Sequence, residues 1–97
     1  MRPLYEVTIN IKPTYDNRSE AYQQMRDCLT EVNRSMGDIK FEMHYFDQGE
    51  LGKVVISCTH NGAVRDVDSL ASRVMDSMSH NVKDTERYVN DSASPNL

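Results

Sequence analysis

Ala21, Tyr22, Met25, Cys28, Leu29, Val32 and Met36 recur at spacings of one, three and four, and no other pattern in the chain restricts its fold as strongly. Apolar side chains at those intervals fall on one stripe of an α-helix. The opposite face carries Gln23, Gln24, Arg26, Asp27, Thr30, Glu31 and Arg34, so this helix is dry on one side only and requires a second layer to cover it. Asn17 and Glu20 have the spacing of a capping box, and Gly37 suits the left-handed residue that ends a helix. The predicted helix therefore lies between Asn17 and Gly37, and the rest of the chain must supply what it packs on.

The flanking segments have the other periodicity. Between Leu4 and Lys12, Tyr5, Val7, Ile9 and Ile11 alternate with Glu6, Thr8, Asn10 and Lys12, which predicts a half-buried strand closed by Pro13. Past Gly37, Ile39, Phe41, Met43 and Tyr45 alternate with Lys40, Glu42, His44 and Phe46. Val54, Ile56 and Cys58 then alternate with Val55, Ser57 and Thr59, and the intervening Asp47 to Gly52 holds two glycines, so the pair predicts a hairpin with a longer loop.

Asn61-Gly62 is a turn signal, but the residues after it return to helical spacing: Val64, Val67, Leu70, Ala71, Val74, Met75 and Met78 form a second stripe. Asp66 and Asp68 stand early in that helix, where its dipole favours anions. Asp84 to Val89 admits a short strand, continued helix or a docked tail. The expected order is thus β-α-β-β-α with an optional last β. Right-handed crossovers place both helices on one face of an antiparallel sheet, the ferredoxin-like α+β two-layer plan. Residues 1–90 are expected to form this single domain, with 91–97 a loose tail.

A net charge of −4 and a pI near 5.2 weigh against a broad basic surface for nucleic acid. The two cysteines, Cys28 and Cys58, both sit in apolar patterns and read as buried thiols. Met1 to Lys12 has no continuous apolar run of the signal-peptide or membrane kind, so the expected location is the cytoplasm, and the N-x-S sequons at Asn17, Asn33 and Asn90 carry little meaning there.

The sheet face away from the helices is expected to present Glu6, Thr8, Asn10, Lys12, Lys40, Glu42, His44, Phe46, Val55, Ser57 and Thr59. Its only outward strand aromatic, Phe46, lies at an end, which disfavours base stacking of the RNA-recognition type. His44, His60, His80, Cys28 and Cys58 show no metal-ligand spacing, so no metal or other cofactor is expected. His44 reads as a solvated histidine and His60 as a residue orienting the Asn61-Gly62 turn. Ser57 and His44 or His60 could be neighbours across the hairpin, but nucleophilic chemistry needs a base that is itself oriented, and many exposed strands hold such pairs, so no catalytic site is expected. Acylphosphatases share this size and layout, yet the loop Pro13-Thr14-Tyr15-Asp16-Asn17-Arg18 has no glycine with which to cradle a phosphate.

Two features remain. Acidic residues fall on the expected outer helix faces, Glu20, Asp27 and Glu31 on the first and Asp68 and Asp76 on the second; the strip reads first as a solvated face and, more sharply, as a surface that competes for a basic host protein or a nucleic-acid-binding groove. Methionines recur on the buried stripes, mainly as core filling. In layout and charge the chain resembles small acidic phage-encoded host-takeover proteins, which implies action on a host protein. The leading expectation is a non-enzymatic protein-binding regulator or inhibitor. A second is a homodimeric small-molecule binder or enzyme whose sheets meet around His44, Phe46 and Val55, and a third is a structural subunit of a larger assembly.

Overall fold

Alternation along the first segment produces strand β1 (Tyr5–Ile11), with Tyr5, Val7, Ile9 and Ile11 buried and the residues between them half-buried. It is followed by helix α1 (Glu20–Ser35), strands β2 (Ile39–Tyr45) and β3 (Leu51–Cys58), helix α2 (Val64–Met78) and strand β4 (Val82–Val89). The computed structural model describes residues 3–12, 20–35, 37–46 and 49–90. Asn17 of the expected capping box, Met36 of the helix stripe and the expected 91–97 tail lie outside them.

The sheet order is β2-β3-β1-β4, and every adjacent pair is antiparallel. Both helices pack on one face, which gives the expected ferredoxin-like α+β sandwich. Tyr22, Met25 and Leu29 of α1, and Val67, Leu70, Ala71, Val74 and Met78 of α2, meet Val7, Ile9, Val54 and Ile56 of the two central strands in one buried cluster. Each Val, Leu, Ile or Met side chain so buried stabilises the fold by about 1.5–3 kcal/mol, which is what offsets the ordering of two helices on a sheet.

Asn61-Gly62 does not form a hairpin turn. Asn61–Ala63 makes a single 3₁₀ turn that feeds α2, and the only left-handed residues among those described are Gly49 (φ 82°) and Ser79 (φ 49°). Gly49 serves the β2–β3 connection, where Phe46 N–H donates to Glu50 O at 2.7 Å and Gly49 N–H to Phe46 O at 2.9 Å.

The segment that admitted three readings is a strand. β4 pairs along β1 from Tyr5↔Val89 to Ile11↔Val82, with a register shift between Asn10 and Ile11. It extends the sheet beyond the helices, so Lys83 to Val89 stand exposed on both faces.

Candidate binding surface on the open sheet face

Strand registers place the outward residues in rows. Lys40, Ser57, Glu6 and Tyr88 form one, Glu42, Val55, Thr8 and Glu86 the next, and His44, Lys53, Asn10 and Asp84 the third. Much of this face pairs with itself. Glu42 Oε1 lies 3.3 Å from Lys40 Nζ and its Oε2 lies 3.3 Å from His44 Nε2, and these bonds, Lys40 first, hold its carboxyl below the ordinary range. Asn10 Nδ2 donates to Asp84 Oδ1 at 2.6 Å and to Glu86 Oε2 at 2.9 Å.

One end of the face is different. Asn10, His44, Phe46, Gly52, Lys53 and Lys83 surround an open cleft of about 470 Å³. A register shift creates it. His44 faces Lys53 but Tyr45 faces Leu51, so Gly52 is an extra residue in β3. A Cβ on Gly52 would stand 3.3 Å from two carbons of the Phe46 ring and 3.3 Å from His44 O, so glycine lets the ring lie flat there. Phe46 remains 45% exposed, and neither Lys53 nor Lys83 has a carboxylate partner among the described residues. The cleft therefore offers an apolar wall beside two cations that no described carboxylate pairs with.

Of the expected sheet-face residues, Asn10, His44 and Phe46 meet at this cleft, while Val55 sits half-buried one row away. Lys53, Lys83 and the exposed aromatic Tyr88 were not among the expected site residues. Lys53 enters through the bulge, and the other two depend on β4. The suggested pairing of Ser57 with His44 does not form, because the Glu42–Val55 row separates them. His60 Nε2 instead lies 3.3 Å from Asp38 Oδ2, and its Nδ1 lies 3.2 Å from where a Cβ on Gly62 would stand. Cys58 is buried, which pushes its thiol pKa up. Among the described residues no set of His, Cys, Asp and Glu is grouped to hold a metal ion, and no helix is long and apolar enough to cross a membrane.

The acidic residues divide. Glu20 and Asp76 are exposed, and Asp27 and Glu31 line a groove between the helices together with Arg73, whose Nη1 is 3.8 Å from Cys28 Sγ. Asp68 does not lie on the outer strip. It occupies the flank of α2, one position past buried Val67, and there accepts a 2.5 Å hydrogen bond from Tyr5 Oη and stands 4.0 Å from Arg87 Nη2.

No family model matches the chain, and no curated protein matches it in sequence. Among solved structures, it is similar to the C-terminal domain of the MgtC protein from Mycobacterium tuberculosis, at 13% identity over 93% of this chain and 89% of that one, with a TM-score of 0.49. It is also similar to a de novo designed protein with a ferredoxin fold, at 13% identity over 89% of this chain and 83% of that one, with a TM-score of 0.49.

Proposed function

We propose that this chain is a non-enzymatic protein-binding domain, a small regulator or inhibitor that acts by occupying a partner's surface with its open sheet face. The cleft carries this reading: Phe46 is exposed beside Lys53 and Lys83, on a face whose other charges are largely paired. Covering such a ring removes apolar surface from water, and aromatic anchors of this kind dominate interface energetics. The lysines select a partner that presents a carboxylate next to an apolar side chain. Phage takeover proteins of similar layout and charge act by occupying a host protein. The non-enzymatic part rests on the separation of Ser57 from His44 and on the burial of Cys58. The groove between the helices is a weaker candidate, since Arg73 offsets Asp27 and Glu31 there.

A second reading, a small anionic ligand in the same place, is favoured by the cleft's size, because small-molecule sites run from about 300 to 1,000 Å³. The test is capture from lysate of the native source by tagged wild-type protein and by a Phe46→Ala/Lys53→Glu variant. The protein-binding reading expects one stoichiometric protein, resistant to nuclease, whose affinity falls at least about tenfold in the variant while the melting temperature holds. A partner held equally by both proteins removes the sheet face from the proposal. Absence of any protein partner overturns it, and mass spectrometry of the native complex then shows whether a small molecule takes the cleft.

A further inference from the structure

We infer that a second copy of this chain adds to the outer edge of β2, joining the two sheets into one. This rests on a different feature from the cleft proposal: edge pairing leaves Lys53 and Lys83 open to a ligand and covers only the outer side of His44 and Phe46. β2 and β4 are the two edges of the sheet, and each presents unpaired backbone groups on one side. Phe46 N–H points inward to Glu50 O, so by strand alternation His44, Glu42 and Lys40 also bond inward. The outward groups belong to Tyr45, Met43, Phe41 and Ile39.

Two copies meeting edge to edge as antiparallel neighbours are related by a two-fold axis normal to the sheet. Residues that face each other then lie on the same side of it. With the axis at Met43, Met43 faces its own copy and Phe41 faces Tyr45 twice on the helix side. On the open side Glu42 faces His44 twice and Lys40 faces Phe46 twice. Every one of these cross-strand pairs is favourable: apolar with apolar, carboxylate with imidazole, cation with aromatic ring. Tyr45 and Phe46, 46% and 45% exposed, gain cover in this register. An axis at Glu42 or His44 sets that group against itself, and one at Phe41 leaves Tyr45 and Phe46 uncovered.

β4 shows what a guarded edge looks like in the same protein. An axis at Asp84, Glu86 or Arg87 opposes a charge to itself, and one at Thr85 sets Asp84 against Glu86 twice. Like charges directly opposite are destabilising, so β4 resists its own copy in every register centred from Asp84 to Arg87, where β2 centred on Met43 receives it.

Sedimentation velocity over a concentration series tests the inference. Wild-type protein is expected to be a dimer. His44→Glu sets the introduced carboxylate against the partner's Glu42 at two symmetric places and is expected to weaken the dimer at least tenfold. Glu42→Lys together with His44→Glu restores opposite charges and should restore the dimer, with the melting temperature of each variant reporting that it folds. In a Cys28→Ser background, Met43→Cys should form a covalent dimer under mild oxidation, because facing residues on paired strands lie within disulfide reach, whereas Thr85→Cys should not. A wild-type monomer at every concentration overturns the proposal, as does a dimer indifferent to His44→Glu or one that crosslinks through position 85.

Discussion

Replacing Ile9 by alanine is expected to cost about 2–5 kcal/mol, a large share of the roughly 5–15 kcal/mol that stabilises a domain of this kind. Ile9 has no exposed surface and lies on central strand β1, with Val54 of β3 on one side and Thr85 of β4 on the other. Its side chain fills the layer between sheet and helices, and the packed neighbours relax only partly into the space left behind. Urea titration should show a lower midpoint with the same slope. The companion substitution is Thr85→Ala, directly opposite on β4 but exposed, where the change should stay within about 0.5 kcal/mol. Equal costs at the two positions would mean that the helix layer covers β4 as well, contrary to the fold described.

Alkaline pH should unfold the protein ahead of ordinary tyrosine-free domains. The phenol of Tyr5 is pushed up to about 12, first by burial and then by its hydrogen bond to Asp68, where ionisation would set a phenolate against a carboxylate. Tyr45 is likewise pushed up to about 12, first by burial and then by its 2.7 Å bond with Tyr22 Oη. In both cases the folded state holds the proton more tightly than the unfolded chain, whose tyrosines titrate near 10. The stability this provides is fully present below pH about 10 and is lost as pH rises toward about 12. Tyr5→Phe removes a hydrogen bond to a charged group, worth about 1.5–3 kcal/mol, and leaves Asp68 with Arg87 at 4.0 Å. That variant should be less stable at neutral pH and should lose less on going alkaline. Urea midpoints at neutral and alkaline pH measure both, and an unchanged alkaline loss would sink the role given to Tyr5.

Much of this architecture is legible in the residues because burial writes a period into them. Met25 and Leu29, or Val7 and Ile9, repeat at the interval of the face they hide, and the hairpin follows from Ile39 and Val54 in the same way. β4 carries no such record. Lys83, Asp84, Thr85, Glu86, Arg87 and Tyr88 meet solvent on both sides, so no selection for one dry face imposes alternation, and only pairing with β1 makes the segment a strand. The unread parts of the site follow from this. Lys83 and Tyr88 join the open face only through that pairing, and Asp68 leaves the outer strip because Tyr5 and Arg87 draw near. Lys53 turns into the cleft through one extra residue at Gly52, which no periodicity announces. His44 and Phe46 were readable because their strand lies beside one with a clear dry face.

The place of β1 bears on how the chain is made. It emerges from the ribosome before every other strand, yet its two neighbours are β3 and β4, and β4 follows all the other elements. At about 5–20 residues per second, β1 waits for several seconds with Val7, Ile9 and Ile11 uncovered before the strand that completes it exists. Until then the nascent chain is a sticky ribbon, and the cell must shelter it or synthesise the remainder quickly.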